Sequence, residues 1–222
     1  MDPHRRLVER LVGMGVIKTE KVRRSAERVR REMFVPERYR RMAYEDIPLP
    51  IGDDQTISAP HMVFMMNELL DLEVGQLVLE VGSGSGYHAA TIAEIVAPSD
   101  APVSRWGAVL TVEINPRLAT LAYNNLKAAG YSSRVHVINF DGSSGLPLRE
   151  KVDRIVVTAA APGVPPPLLE LLKEGGKMVI PVGSPGLWGQ DLLVIEKSGG
   201  RIFKRKVTEV AFVPLRGKYG WS

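Results

Sequence analysis

The stretch that decides the fold of this chain is Val78-Leu79-Glu80-Val81-Gly82-Ser83-Gly84-Ser85-Gly86-Tyr87. It begins as an apolar strand, continues through three glycines at alternate positions and leads into a helix-like run from His88 to Val96. A buried strand that ends in such a loop presents backbone N–H groups, with no side chains in the way, at the N-terminus of a helix. The stretch therefore predicts a site where a nucleotide-like cofactor lies against bare main chain.

Length and composition limit the possible classes of protein. A chain of 222 residues can bury one sizeable core, and one domain with an appendage is the starting expectation. The sequence contains no cysteine, which excludes disulfides, thiolate metal sites and a catalytic cysteine. Neither a signal peptide nor an apolar run of about 18 residues is present. We therefore expect a cytoplasmic, monomeric protein that has no contact with a membrane and no metal site.

Positive charge is concentrated at the N-terminus. Residues 1–41 hold 13 Lys and Arg against 6 Asp and Glu, whereas the remainder holds 16 against 19. A basic arm can bind nucleic acid, but this one lacks the interleaved aromatic residues of single-strand binders. We expect two solvated, arginine-rich helices and no nucleic-acid partner. The sequence has only five Asn and three Gln, which is typical of heat-adapted proteins.

The first sixty residues predict a helical extension followed by a loop. Apolar spacing indicates a short amphipathic helix from Arg5 to Val12, and Thr19 can cap a second helix. Residues 39–60 contain prolines and little periodicity. Loops of this length are usually functional or disordered, and the apolar residues of this one lead us to expect an ordered loop. Ser58 opens the next helix, which spans 59–70.

From residue 76 onward, apolar strands and amphipathic helices alternate. The predicted strands are 76–81, 108–113, 134–139, 153–158, 177–182, 191–196 and 205–214, and the predicted helices are 87–96, 116–129 and 166–173. This order predicts an α/β fold with a doubly wound, mostly parallel, seven-stranded Rossmann-like sheet. A hairpin turn at Lys197 to Arg201 makes the last two strands antiparallel. We expect residues 1–60 to form the extension and substrate loop, and residues 61–222 to form one compact cofactor-binding domain.

Three strand ends carry residues that suit a nucleotide. Ligands of open α/β sheets bind beyond the carboxyl ends of the strands. The first end is the glycine loop, and the second is Glu113, whose carboxylate can accept both hydroxyls of a ribose. The third is Asp141, whose carboxylate can accept a hydrogen bond from the exocyclic amine of adenine, while Gly142 lets the ring approach the backbone. A helix dipole alone would also explain Glu113, but three such ends in register favour a binding site.

The spacing of the glycines indicates which nucleotide is bound. A dinucleotide fingerprint, G-x-G-x-x-G, would require a third glycine at position 87, where the chain has Tyr87. The observed spacing is Gly82-x-Gly84-x-Gly86, with Glu80 just before it, and it offers no dedicated cradle for a pyrophosphate. This pattern suits S-adenosylmethionine and argues against an NAD-dependent oxidoreductase.

Several longer motifs resemble those of the protein-L-isoaspartate O-methyltransferase family, and the resemblance runs from about residue 33 to 215. The segment Gln55-Thr56-Ile57-Ser58-Ala59-Pro60-His61-Met62 is far more specific than a glycine loop. The other matching segments are Tyr44 to Gly52, Leu79 to Ala90, Val157 to Pro162 and Phe212 to Leu215.

The resemblance implies a reaction and a set of residues. The family uses S-adenosylmethionine to methylate the α-carboxyl group of isoaspartyl residues in age-damaged proteins and peptides, and a succinimide then leads back to aspartate. It implies that Ser58 is the active-site serine, that Glu113 binds the ribose and that Asp141 and Gly142 contact the adenine. The full predicted cofactor site comprises Gln55, Thr56, Ile57, Ser58, Glu80, Gly82, Ser83, Gly84, Gly86, Glu113, Asp141, Gly142 and Thr158.

The chain departs from the family pattern at a few positions. The family usually has Gly where Asp54 stands, Gly where Phe140 stands and an aromatic residue where Val152 stands. The connection at 98–107 is also longer than usual. These differences concern the detailed contacts with the cofactor more than the reaction.

The predicted chemistry needs few catalytic groups. A substrate carboxylate, with a pKa near 4, is already ionised at neutral pH, so no general base is required. Our hypothesis is that Ser58 aims this carboxylate, although a serine before a helix often only caps it. We expect His61 to be structural, Thr158 to line the site, and residues 44–57 and 213–216 to cover it, with Arg216 facing the substrate's charge.

An S-adenosylmethionine-dependent RNA methyltransferase is the alternative enzyme, with the basic arm as its electrostatic footprint. Neutral nucleophiles in nucleic acids usually need a base, or an Asn/Asp-Pro-Pro-aromatic pocket. Here Thr158-Ala159-Ala160-Ala161-Pro162 follows the fourth strand instead. A non-enzymatic binding module would leave the three aligned strand ends unexplained.

Overall fold

A computed structural model describes residues 2–184 and 189–221 of the chain. Along these residues the helices are α1 (Pro3–Gly13), α2 (Glu20–Arg28), α3 (Pro60–Leu70), α4 (Tyr87–Val96), α5 (Pro116–Ala128) and α6 (Pro166–Leu171). The strands are β1 (Leu49–Gly52), β2 (Gln55–Ile57), β3 (Leu77–Val81), β4 (Ala108–Glu113), β5 (Val135–Asn139), β6 (Val152–Val157), β7 (Leu172–Gly183), β8 (Gln190–Ser198) and β9 (Arg201–Val210).

The central sheet confirms the predicted fold class. Its seven strands lie in the order β5-β4-β3-β6-β7-β8-β9, and β3 to β7 run parallel. β8 is antiparallel to both of its neighbours, so the predicted antiparallel pairing of the last two strands is also confirmed. The strand order reverses between β3 and β6, and this is where an α/β sheet opens a crevice for ligands.

Apolar residues cover both faces of this sheet. Successive strand residues point to opposite faces, so Val78 packs with α1 to α5 in one buried cluster and Leu79 packs with α6 in another. The strands can be near-continuously apolar because neither face meets water. The N-terminal helices share the first cluster with α3 and α4, and the division of the chain at residue 60 stays a prediction.

The segment 39–60 contains regular structure, and its prediction as a loop was therefore wrong. A 3₁₀ helix spans Glu37–Met42, and β1 and β2 then pair as an antiparallel hairpin. Asp53 and Asp54 lie between these strands with φ of 48° and 57°. Positive φ at both central residues matches the twist of a tight hairpin, and aspartate adopts this conformation more readily than most residues. A glycine at position 54, as in the family pattern, would adopt it without strain.

The start of α3 differs from the prediction. The helix begins at Pro60 with Ala59 as its N-cap, so neither a helix opening at Ser58 nor a capping role for Ser58 is correct. Asp46 caps the helix instead, because its Oδ1 accepts a hydrogen bond from the backbone N–H of His61 at 2.8 Å. The same oxygen lies 3.0 Å from Nδ1 of His61, which agrees with the structural role expected for that histidine.

Two predicted boundaries near the C-terminus were also wrong. The predicted helix 166–173 ends at Leu171, because β7 starts at the next residue. The predicted strand 205–214 is displaced, since β9 pairs with β8 from Arg201 and leaves the sheet after Val210. The apolar residues beyond it belong to a C-terminal segment that crosses the carboxyl edge of the sheet.

Other parts of the chain lie away from this edge. The connection at 98–107 precedes β4, at the amino ends of the parallel strands. In the part of the chain that the structure describes, no helix is long and apolar enough to cross a membrane.

Several arginines of the basic N-terminus form ion pairs within the protein, which fits solvated helices: Arg5 with Glu9, Arg23 with Glu27, Arg28 with Asp100 and Arg30 with Asp2.

Candidate active site

A cavity lies at the carboxyl ends of β3, β4 and β6, as the reversal of strand order predicts. The β1–β2 hairpin and the C-terminal segment complete its walls. Eleven of the predicted cofactor residues line it: Gln55, Thr56, Ile57, Ser58, Glu80, Gly82, Ser83, Gly84, Glu113, Gly142 and Thr158. Gly86 and Asp141 are not among the lining residues.

Neighbouring side chains leave no room for larger residues at two positions of the glycine loop, Gly82 and Gly86. Gly82, Gly84 and Gly86 all have positive φ, of 101°, 51° and 86°. A Cβ at Gly82 would collide with the hydroxyl of Thr158, which donates a hydrogen bond to the Gly82 carbonyl at 2.7 Å. A Cβ at Gly86 would lie 2.9 Å from Cγ of Leu126. Gly86 is thus required by the close packing of the loop against α5 and not by the cavity.

Glu113 joins the tip of β4 to the glycine loop. Its Oε2 accepts a hydrogen bond from the N–H of Gly84 at 3.0 Å, and its Oε1 accepts one from the N–H of Asn115 at 3.1 Å. Each carboxylate oxygen has two lone pairs, so each keeps the capacity for one more donor. The side chain therefore has the acceptors that two ribose hydroxyls require.

The β1–β2 hairpin closes over the glycine loop. Oδ2 of Asp53 accepts a hydrogen bond from Nδ2 of Asn115 at 2.7 Å, and Cδ1 of Ile51 lies 3.5 Å from the position of a Cβ on Gly84. These contacts place residues 55–58 in the cavity wall. Asn115 was missed by sequence reasoning, although an asparagine before Pro116 is a recognisable N-cap signal.

Glu80 lies beneath the glycine loop and is fully buried. The hydroxyl of Thr111 lies 2.5 Å from Oε2 of Glu80 and 2.7 Å from the hydroxyl of Ser83, so the carboxyl group supports the loop through one threonine. Burial raises the pKa of Glu80 to about 8. Nδ1 of His88 lies 3.7 Å from Oε1 of Glu80, and burial lowers the pKa of His88 to about 3. Burial therefore favours the neutral form of both side chains.

Arg31 is the principal residue that sequence reasoning missed. Its guanidinium is fully buried and donates hydrogen bonds to four main-chain carbonyls, and burial lowers the pKa of this group. An arginine remains protonated even so, because its ordinary pKa exceeds 12. The acceptors lie in the segment that leads into the hairpin and at its end: Ala43 at 2.7 Å, Glu45 at 3.4 Å, Ile47 at 3.0 Å and Ser58 at 3.1 Å.

Ser58 is a half-buried residue of the cavity wall that is held through its main chain. The carbonyl oxygen of Ser58 is one of the four that Arg31 binds. Its hydroxyl is not used as the cap of α3. The side chain is consequently available to a ligand, while the backbone that carries it is fixed from behind.

Asp141 directs its carboxylate to its own turn and to the C-terminal segment. Ser143, Ser144 and the backbone N–H of Lys218 donate hydrogen bonds to it. Partial burial opposes these bonds, but they hold the pKa of Asp141 below its usual value. The next residue, Gly142, does reach the cavity, and a Cβ there would lie 2.7 Å from Cγ1 of Val81. The contact between Asp141 and adenine stays a prediction.

The groups that line the site suit a nucleotide-like cofactor. Within residues 2–184 and 189–221, no group of three or more His, Asp or Glu side chains is arranged to hold a metal. The wall offers backbone N–H groups without side chains at the glycine loop and free carboxylate lone pairs at Glu113. These features fit the adenosyl and amino acid parts of S-adenosylmethionine.

Comparison with known proteins gives one consistent family. Residues 2–220 match the family model described as protein-L-isoaspartate(D-aspartate) O-methyltransferase. The chain is 80% identical to a protein-L-isoaspartate O-methyltransferase of Korarchaeum cryptofilum over 99% of both chains. It is 58% identical to one of Hyperthermus butylicus, over 99% of this chain and 91% of that relative. Relatives from thermophiles are among the matches, which fits the low content of Asn and Gln.

A solved structure has the same fold over nearly its whole length. The crystal structure of a Plasmodium falciparum protein described as a protein-L-isoaspartate O-methyltransferase, in complex with S-adenosyl-L-homocysteine, matches with a TM-score of 0.84 at 28% identity. The match covers 97% of this chain and 99% of that chain.

Glu80→Gln is expected to change how stability depends on pH. Between about pH 4.5 and about pH 8 the folded protein holds a proton on Glu80 that the unfolded chain releases, so the free energy of unfolding falls as pH rises. The substitution removes this term, which amounts to about 1.4 kcal/mol per pH unit for one proton. Urea denaturation across this pH range should show that the free energy of unfolding of the variant increases relative to that of the wild type as pH rises. His88 is present in both proteins, so its own titration cancels from the comparison to first order.

The substitution Glu150→Gln, at an exposed position, is the matched control for replacing a glutamate by glutamine. Parallel curves for Glu80→Gln and the wild type would show that Glu80 is ionised in the folded protein.

Arg31→Met is expected to lower the free energy of unfolding by about 3 kcal/mol or more, because it leaves buried carbonyl groups without donors. Arg31→Lys keeps the charge but cannot span the same carbonyls, so it should also destabilise the protein. Arg6→Met, at an exposed position, should change stability by less than about 0.5 kcal/mol. Urea denaturation checks all three, and a similar stability for Arg31→Met and Arg6→Met would contradict the role of Arg31.

Proposed function

Because the chain belongs to the protein-L-isoaspartate(D-aspartate) O-methyltransferase family, we propose that the cavity at the tips of β3, β4 and β6 is its active site and that Ser58 aims the substrate there. The protein is an S-adenosylmethionine-dependent methyltransferase. It methylates the α-carboxyl group of L-isoaspartyl residues in damaged proteins and peptides, and so initiates repair through a succinimide.

One observation carries the assignment of the site. The most family-specific segment, residues 55–58, faces the glycine loop and Glu113 across a single cavity. The two parts are distant in sequence but line the same cavity. Methyl transfer from a cofactor to a peptide requires such an arrangement. The Asp53–Asn115 hydrogen bond further supports this arrangement, because it ties the hairpin to the cofactor side.

The reaction makes modest demands on the side chains. When bound, S-adenosylmethionine supplies a methyl group on a positively charged sulfur. The α-carboxyl group of the substrate is already an anion at neutral pH, so no residue has to remove a proton. The task of the protein is to hold the carboxylate in line and to exclude water. Good alignment of two reacting groups can supply roughly 7 kcal/mol or more of the barrier reduction.

Ser58 is the residue to which we assign the aiming of the carboxylate. A hydroxyl can donate one hydrogen bond to a carboxylate oxygen, and such a charged hydrogen bond contributes about 1.5–3 kcal/mol. The backbone of Ser58 is held by Arg31, so only the side-chain torsions have to be set at the moment of reaction. Val213 to Arg216 form the opposite wall, where we place the main chain of the peptide, with Arg216 facing the substrate's charge.

The proposal also covers the remaining cofactor contacts and the partners. We assign the ribose to Glu113, the amino acid end to the glycine loop with Glu80 beneath it, and the adenine to the turn at Asp141 and Gly142. The partners are isoaspartyl proteins and peptides, with no nucleic acid, and we expect a cytoplasmic monomer. The internal ion pairs of the N-terminal arginines support the exclusion of nucleic acid.

The direct test of the function is radiolabelled methyl transfer. Purified protein and labelled S-adenosylmethionine are incubated with an isoaspartyl peptide or with its normal aspartyl twin, which has the same composition. We expect label in the isoaspartyl peptide alone, and loss of that label in base, because methyl esters hydrolyse. Equal labelling of both peptides, or labelling only of an added RNA, would reject the proposed substrate.

Ser58→Ala is expected to reduce turnover of the isoaspartyl peptide by about 10- to 100-fold, the equivalent of one charged hydrogen bond. The dissociation constant for S-adenosylhomocysteine should change little. The melting temperature should also be retained, because Ser58 does not cap α3. Steady-state kinetics, calorimetry and thermal denaturation provide the measurements, with Ser104→Ala in the exposed connection before β4 as the control. Full turnover in Ser58→Ala would exclude the assigned role.

A further inference from the structure

The β1–β2 hairpin, residues 49–57, is not part of the central sheet. Its strands pair only with each other, whereas the other seven strands form one sheet. A two-stranded hairpin of this length has little stability of its own in water, so its position depends on contacts with the rest of the protein. Polar side chains make such contacts at both ends of the hairpin, at its base and at its tip.

The base of the hairpin is held by a buried side chain. The guanidinium of Arg31 donates hydrogen bonds to the carbonyls of Ile47 and Ser58, at 3.0 and 3.1 Å, on either side of the hairpin. Arg31 is fully buried, so breaking these bonds would leave polar groups unpaired in the interior. The base, together with Ser58, is therefore the fixed end of the hairpin.

The tip of the hairpin is held by exposed side chains. Oδ2 of Asp53 accepts a hydrogen bond from Nδ2 of Asn115 at 2.7 Å, and Oδ1 of Asp53 lies 3.8 Å from the guanidinium of Arg117. One hydrogen bond changes a conformational equilibrium by about 2- to 10-fold, and an exposed ion pair by less. The tip can therefore open far more easily than the base.

Asn115 connects this tip to the cofactor side of the cavity. Its backbone N–H donates to Oε1 of Glu113 at 3.1 Å, the carboxylate to which we assign the ribose. Its Oδ1 caps α5 by accepting from the N–H of Arg117 at 2.9 Å. Because the cap requires the oxygen of the amide, the NH₂ group is left facing the hairpin and donates to Asp53.

The tip lies over the glycine loop. Cδ1 of Ile51 is 3.5 Å from the position of a Cβ on Gly84. Nε2 of Gln55, a residue of the cavity wall, donates to the carbonyl of Asp53 at 3.4 Å, so the tip and this part of the wall move together. Asp53 itself is not among the residues that line the cavity.

We propose that Asp53 is a positioning residue that latches the tip of the hairpin to Asn115, and that S-adenosylmethionine and S-adenosylhomocysteine exchange when this latch opens. Arg31 keeps the base in place, so Ser58 holds its position while the tip moves away from the glycine loop. The proposal rests on the proposed function, because it takes the cofactor to lie between the hairpin, the glycine loop and Glu113.

A latch of this kind changes rates and not affinity. Asp53→Ala removes the acceptor of Asn115, so the tip should open about 3- to 10-fold more often. Entry and exit both pass the open tip, so the association and dissociation rate constants for S-adenosylhomocysteine should both rise by this factor. The dissociation constant should change by less than about 2-fold. A chase of bound radiolabelled S-adenosylhomocysteine gives the dissociation rate, and calorimetry gives the dissociation constant.

Asp54→Ala is the matched control for Asp53→Ala. The two aspartates are neighbours with φ of 57° and 48°, so both substitutions remove a charge and strain the backbone alike. Among the described residues, the side chain of Asp54 makes no hydrogen bond, so this variant should exchange S-adenosylhomocysteine within about 2-fold of the wild-type rate. Arg117→Ala should do the same, because its ion pair with Asp53 is exposed.

Exchanging the two side chains tests the hydrogen bond itself. Asn115→Asp keeps an oxygen to cap α5 but loses the donor and places two carboxylates face to face, so S-adenosylhomocysteine should exchange faster. Adding Asp53→Asn supplies an amide donor from the other side, and the rate should then return to within about 2-fold of the wild type. Direct effects of residue 115 on the cofactor are present in both variants. A double variant that exchanges as fast as Asn115→Asp would therefore contradict the latch.

A reversible cross-link tests the same gate without removing it. The chain contains no cysteine, so Asp53→Cys combined with Asn115→Cys supplies the only two thiols. Joining them with a short bis-methanethiosulfonate reagent should slow the exchange of S-adenosylhomocysteine by at least about 10-fold, and reduction should restore the faster rate. The reduced protein serves as its own control. Equal exchange in the cross-linked and the reduced protein would overturn the proposal.

Other results would also overturn the latch. A dissociation constant that rises in step with the dissociation rate in Asp53→Ala would mean that Asp53 holds the cofactor directly. A lower melting temperature with unchanged exchange would mean a purely structural role. The proposed function fails differently: a wild-type protein that shows the latch kinetics with S-adenosylhomocysteine but does not methylate an isoaspartyl peptide would refute the proposed substrate and leave the latch standing.

Discussion

The structure depends on keeping side chains out of one place, the tip of β3. The main chain there is approached by the hydroxyl of Thr158 from β6 and by the carboxylate of Glu113 from β4, and both bind it directly. The Thr158 contact is not possible if Gly82 carries a side chain, since a Cβ there would meet the Thr158 hydroxyl. The loop is therefore fixed by its neighbours, and its exposed N–H groups are presented without the entropy cost of ordering a flexible glycine segment.

Two segments cover the site, the β1–β2 hairpin and the C-terminal segment, and each is fixed by polar side chains that lie behind it. Arg31 binds the carbonyls of the segment that carries Ser58, and it is not among the residues that line the cavity. Gln190 and Asp141 hold the C-terminal segment at Phe212 and at Lys218, through main-chain groups. A buried polar group is costly when it is unpaired, so a cover that moves away leaves these groups without partners. The hydrogen bonds of these side chains therefore stabilise the arrangement in which both segments cover the cavity.

The parts of the site that lie within one short stretch of sequence could be predicted from local patterns. The glycine loop, Glu113 and the parallel strands could be read from short windows, because each is a strand followed by a turn and a helix. Arg31 could not, since it resembles the other arginines of a basic segment and its acceptors lie 12 to 27 residues further on. The end of β9 was misplaced for a related reason. The apolar residues of the C-terminal segment continue the pattern of the strand, and only the hydrogen bonds of Val213 and Leu215 with Ala160 show that they have left the sheet.

The reaction explains why the site is built from covers and not from acid–base residues. A carboxylate and a sulfonium neutralise each other as the methyl group moves, so strong solvation of either charge in the ground state would slow the transfer. Burial raises the pKa of Glu80 and so favours its neutral form beneath the loop. This carboxyl group therefore adds little negative charge to the cavity. The hairpin and the C-terminal segment can then exclude water, and in the proposed mechanism the hydroxyl of Ser58 aligns the substrate.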